Sequence, residues 1–180
     1  MTTPNPIDLD ELDIDLDRDE FFRSMLRELA GTLTDVVGLE EAAGFVALVG
    51  QRIGERLNAA YNDALAHPLS KPQVGQTLVD LNRRIGGDFT LDQSDEECLQ
   101  FSNRTCPFGE NVCGRPALCM MTSNVFGTIA SENLGYARVE LRETIAGGDG
   151  RCKVVVHLRP THDAAPTSRE YFGSSLERSS

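Results

Sequence analysis

Five cysteines are the residues of this chain whose type and spacing could do chemistry. Four lie in one stretch of 22 residues, from Cys98 to Cys119, and the fifth, Cys152, follows the turn Gly147-Gly148-Asp149-Gly150. The spacing is Cys98-x7-Cys106-x6-Cys113-x5-Cys119-x32-Cys152. Thiolate sulfur suits zinc, Cu(I) and iron–sulfur clusters, which need three or four donors converging from rigid elements. No Cys-x-x-Cys occurs, which removes the zinc-ribbon and thioredoxin-type signals. Ferredoxin spacing is absent as well. Against a metal stands plain burial, since a free Cys behaves as a small hydrophobe.

The elements that must position these thiols follow from periodicity. Phe21, Phe22, Met25, Leu26, Leu29, Leu33, Val36 and Val37 predict a first helix over 20–37, with Asp19 as N-cap and Gly38 as its stop. A second helix is expected over 39–66. It contains Gly44, Gly50 and Gly54, whose use is close approach by a neighbouring helix or by a ligand. His67-Pro68 breaks it, and a third helix follows over 71–85. Short strands are expected at 88–93 and 98–102, joined by the acidic turn 94–97. Pro116 opens a fourth helix that ends at Asn133-Leu134-Gly135. Strands over 136–144 and 152–159 form a hairpin. The order is three helices, then β-β-α-β-β, an α+β fold with a mostly antiparallel sheet. In it a loop (Cys106), a helix N-terminus (Cys119) and a hairpin mouth (Cys152) can meet at one point. The helix N-terminus should favour thiolate at Cys119.

One domain over 20–159 is expected. An acidic tail precedes it at 1–19, with eight carboxylates and one Arg between Asp8 and Glu20, and a disordered tail follows at 160–180. Apolar residues interleaved in the first tail leave it readable as a docking segment. The net charge of −11 argues against direct grip on nucleic acid or an anionic membrane. No apolar run reaches the ~18 residues of a bilayer span, and no signal peptide is visible, so a cytoplasmic location is expected. There thiols stay reduced, which favours metal binding, redox sensing or burial over disulfides.

The stretches T-C-P-F-G and G-R-P-A-L-C-M-M-T-S-N-V-F-G within 105–127, L-G-Y-A-R-V-E-L-R-E-T-I-A-G-G-D-G-R-C-K-V-V-V at 134–156 and L-E-E-A-A-G-F-V-A-L-V-G-Q-R-I-G at 39–54 resemble the methanogen output domain family of small signalling modules. More distantly the pattern is similar to vinyl-reductase-type sensor domains, where cysteines hold zinc beside a small-molecule pocket. It is also similar to the C-terminal domain of SufR-type repressors, where they hold an iron–sulfur cluster. These resemblances imply Cys106, Cys119 and Cys152 as ligands, with Cys113 favoured as the fourth and Cys98 and Glu143 as alternates. Thr144 stands where the vinyl-reductase type has a hairpin cysteine. The winged helix of the repressors is absent from these residues, so promoter binding is not implied.

The expected function is therefore a non-enzymatic signal-transduction module. It would hold a cysteine-ligated iron–sulfur cluster for redox or gas sensing and pass its state to a partner regulator, a sensor kinase or a transcription regulator. The alternatives are a ligand-binding sensor with structural zinc, its pocket lined by Phe45, Val49, Met121 and Phe126, and a metal-free interaction domain. Helix one, widened by Phe21 and Phe22, offers a surface for homodimerisation. Gly147 to Gly150 lacks the phosphate-loop pattern, and no nucleophile elbow is present.

Overall fold

The structure, a computed structural model, describes residues 17–160 and 168–174, the side chains at 110 and 111 excepted. The acidic stretch 1–16 lies outside these residues, as do 161–167 and 175–180. Helices α1 (Arg18–Val37), α2 (Leu39–Leu65) and α3 (Lys71–Arg84) come first. Strands β1 (Thr90–Ser94) and β2 (Cys98–Asn103) follow, then α4 (Pro116–Leu134), β3 (Tyr136–Glu143), β4 (Cys152–His157) and β5 (Ser168–Phe172). The five strands form one antiparallel sheet in the order β1-β2-β4-β3-β5, so the fold is α+β.

Local chemistry sets the ends of these elements. Asp17, not Asp19, caps α1, its carboxylate accepting from the Glu20 N–H at 2.8 Å. Gly38 closes α1 at φ 88°, a conformation that costs a glycine little. Ser70 and Gln73 form a capping box at the start of α3. The first strand begins at Thr90 rather than Asp88. The Asp88 carboxylate instead receives the N–H groups of Arg104 and Thr105, at 3.0 and 2.7 Å, and ties down the loop before Cys106.

Helix α4 is the central element. It packs along α2 on one side and on the sheet on the other, and eleven of its residues are buried. Gly50 and Gly54 make the α2 contact close. A Cβ on Gly50 would stand 2.9 Å from the Met121 carbonyl oxygen, and one on Gly54 2.9 Å from the Thr128 Cβ. These glycines therefore serve helix packing. Beneath α4, Phe89, Phe101 and Phe126 form a cluster with ring centroids 5.4–6.5 Å apart.

Strand β5 corrects the expectation of a disordered tail over 160–180. It pairs along β3 from Tyr136↔Phe172 to Glu140↔Ser168. Tyr171 turns inward against Gly127 and shares a hydrogen bond with Ser123 at 3.0 Å. The segment Ser168-Arg169-Glu170-Tyr171-Phe172 gives almost no alternation of its own, because the strand is held by β3 and by one inward ring.

Candidate functional site

The sheet and α4 bring three of the five cysteines to one place. Cys106, Cys119 and Cys152 line a common small cavity of about 30 Å³, with Phe89, Leu118 and Thr144 among its other walls. Cys106 precedes the 3₁₀ turn Gly109–Val112, its carbonyl accepting from the Gly109 N–H at 2.8 Å. Cys119 lies in the first turn of α4. Cys152 opens β4, where its N–H donates to Asn103 Oδ1 at 3.2 Å and its sulfur accepts from the Ile145 N–H at 3.5 Å. Asn103 also donates to the Thr105 carbonyl, so one side chain braces both the loop and the hairpin mouth.

Burial sets the state of these thiols. It pushes all three up from their ordinary range, Cys119 to about 12 with further repulsion from Cys152 and Cys106. At Cys119 this burial opposes the thiolate that the α4 N-terminus was expected to favour. As placed, no group of three or more His, Cys, Asp or Glu side chains among the described residues is arranged to hold a metal ion. The three thiols converge without forming a finished coordination shell.

The other candidates stand elsewhere. Cys113 is exposed; its carbonyl accepts from Arg27 of α1 at 3.1 Å, and it sits near enough to Cys106 to raise it. Cys98 is at the far end of β2. It pairs with His157 while Asn103 pairs with Cys152, five residues or about 17 Å along the strand, and its side chain is on the opposite face from Leu99, Phe101 and Asn103. Glu143 is engaged by Arg151 at 2.6 Å and lines neither cavity, whereas its neighbour Thr144 lines the thiol cavity.

A second, larger cavity lies on the other side of the Cys106–Phe108 loop. It measures about 370 Å³ and is lined by α1, α2, α3, α4 and that loop. Ile53, Leu57, Leu81, Met121, Val125 and Phe126 supply most of its apolar wall, and α1 contributes Phe22 and Leu26. Of the four pocket residues expected from sequence, Met121 and Phe126 are here. Phe45 and Val49 are not: they point outward from α2, 54% and 48% exposed, because the face of α2 that meets α4 runs through Gly50 and Gly54 instead. The signal for the true lining was the stripe Ile53, Leu57, Tyr61, one helical face further along. Pro107, Phe108 and Thr122 line both cavities and form the partition between them. Tyr61 donates from the rim to Asp80 at 2.7 Å, and Asp80 is also held by Arg84.

The site is thus a helical layer over an antiparallel sheet, with an apolar cavity beside a cluster of three thiols. The chain matches the family model "Methanogen output domain 1" over residues 25–157, and it belongs to that family. Among solved structures it is similar to the phenol-responsive sensory domain of the transcription activator PoxR with phenol. There the identity is 18%, the TM-score 0.61, and the match covers 80% of this chain and 76% of that one. It is also similar to trafficking protein particle complex subunit 3 from Naegleria fowleri, covalently bound to palmitic acid. That match has 12% identity, a TM-score of 0.54, and covers 81% and 98% of the two chains. At these identities the likeness is one of fold. No curated protein matches the chain. Among the described residues no helix is long and apolar enough to cross a membrane.

Proposed function

We propose that this protein is a non-enzymatic, ligand-responsive signalling module whose larger cavity takes a small apolar molecule and whose Cys106–Phe108 loop carries the response. The observation that supports it is the apolar cavity of about 370 Å³, a size in the range of small-molecule sites. Two proteins of this fold are described with phenol and with palmitic acid, both largely apolar, which agrees with the same use. An occupant would press on Pro107, Phe108 and Thr122, the partition that also walls the thiol cavity. It would press as well on α1, which contributes Phe22 to the cavity and Arg27 to the Cys113 carbonyl. The readout is a regulatory protein partner in the cytoplasm, a sensor kinase or a transcription regulator. Thermal-shift screening against bicyclic aromatics and medium-chain lipids tests this, because a bound ligand raises stability by RT ln(1 + [L]/Kd). No stabilisation across the panel at saturating concentration would sink it.

A second reading rests on the three converging thiols. Cys106, Cys119 and Cys152 would hold a soft metal, with Cys113 supplying a fourth thiolate after a movement of its exposed loop. The metal would lock the loop and hairpin mouth together. The space of about 30 Å³ favours a single zinc-sized ion over the iron–sulfur cluster expected for redox or gas sensing. Metal and labile-sulfide analysis of anaerobically prepared protein distinguishes them. One zinc per chain supports the single ion, iron with sulfide supports the cluster, and neither leaves the thiols as buried side chains.

A further inference from the structure

We propose that the outward face of α1 is a docking surface for a second copy of this chain, paired through a two-fold axis near Leu29. Helix α1 carries apolar residues on two faces. Ala30 and Gly31 are buried against the rest of the molecule, and Leu26 lines the larger cavity. On its other side Phe22, Met25, Leu29, Thr32 and Val36 succeed one another at intervals of three and four, and all are exposed. Such intervals lay a continuous seam along one side of a helix, the pattern by which one helix packs along another. Phe21 widens the seam, its ring edge-on to Phe22 with centroids 5.7 Å apart. Phe22 also lines the larger cavity, so the pairing covers the edge of that cavity that α1 forms.

The area fits a dimer. With Phe21 53%, Leu29 58% and Val36 75% exposed, the stripe presents about 500 Å² of apolar surface, near the upper end of what a lone soluble domain leaves uncovered. Homodimer interfaces are about 65% apolar, so this stripe with its polar border corresponds to about 800 Å² per copy, the area of a stable specific interface. Charge separates the second copy from the stretch 1–16, which carries five carboxylates and no basic residue. Glu28 and Asp35 border the stripe and repel that stretch, whereas a second copy brings Arg18 as well as the two acids. A two-fold interface also needs no surface besides this one, and the residue nearest its axis meets its own copy. Between Phe22 and Val36 that residue is Leu29.

Sedimentation equilibrium of the full chain between about 1 and 100 µM should show a dimer with a Kd below about 10 µM. Leu29→Lys and Leu29→Glu, at an exposed position that the fold does not need, should each raise that Kd at least about thirtyfold. An equal mixture of the two variants should dimerise again, because opposite charges then meet at the axis. A wild-type monomer at 100 µM would overturn the proposal and leave the stripe to the stretch 1–16 or to another protein. A dimer indifferent to both substitutions would overturn it by placing the interface elsewhere. A mixture that stays monomeric would overturn the pairing of Leu29 with its own copy.

Discussion

The two cavities that meet at Pro107 and Phe108 are built from opposite materials. The smaller one, near 30 Å³, is packed by Val112, Leu118 and Val154, each at most 2% exposed, around three thiols. The larger, near 370 Å³, is walled by half-buried Ile53, Leu57 and Met121 and roofed by α1, whose Phe22 remains 48% exposed. One has the packing of a core, and the other has room to be filled. On the proposed function, the tight site fixes the loop, the roomy site receives the ligand, and the loop, which walls both, carries the response.

Substitutions should therefore act with different size and even opposite sign in the two places. Leu118→Ala, in the tight site, should cost about 3 kcal/mol by equilibrium unfolding, because its neighbours are too well packed to collapse into the gap. A loss under about 1 kcal/mol would mean that the thiol site is loose. Val112→Leu should cost about 1–3 kcal/mol by overpacking the same space. Asp80, the partner of Tyr61 and Arg84 in the wall of the roomy site, is held down to about 2 from 3.8, first by Arg84 and then by Tyr61. A carboxyl lowered on folding stabilises above its unfolded value and loses that stabilisation as pH falls through the folded one. Asp80→Asn should then be destabilised by about 1 kcal/mol at pH 7, allowing for screening, with the gap closing toward pH 2. A gap independent of pH would place the effect in packing. Val125→Leu should be neutral or stabilising by up to about 0.8 kcal/mol, since its extra methylene enters open space, and it should weaken ligand binding.

Much of this arrangement was legible in the sequence. The helices and strands segregate along the chain, and their periodicities name the α+β class. Placing Cys106 in a loop, Cys119 in a first helical turn and Cys152 at a hairpin mouth was enough to bring the three together. Cys98 was harder, because strand register decides which end and which face a residue occupies, and register depends on the partner strand. The burial that raises Cys119 was not legible, because part of it comes from Ala30 and Ala146, distant in sequence. The larger cavity was half read. Met121 and Phe126 follow from the α4 pattern, but the roof by α1 and the wall by Pro107 and Phe108 are products of packing between distant segments.

The most direct test of the ligand site is calorimetric titration of indole into the wild-type protein and into Leu57→Trp, whose larger ring takes up part of the larger cavity from a position that does not line the thiol cavity. The account predicts one site per chain in the wild type, a negative heat-capacity change from apolar burial, and a Kd raised about tenfold in a folded Leu57→Trp protein. An unchanged Kd in Leu57→Trp, or no binding to the wild type, would contradict it.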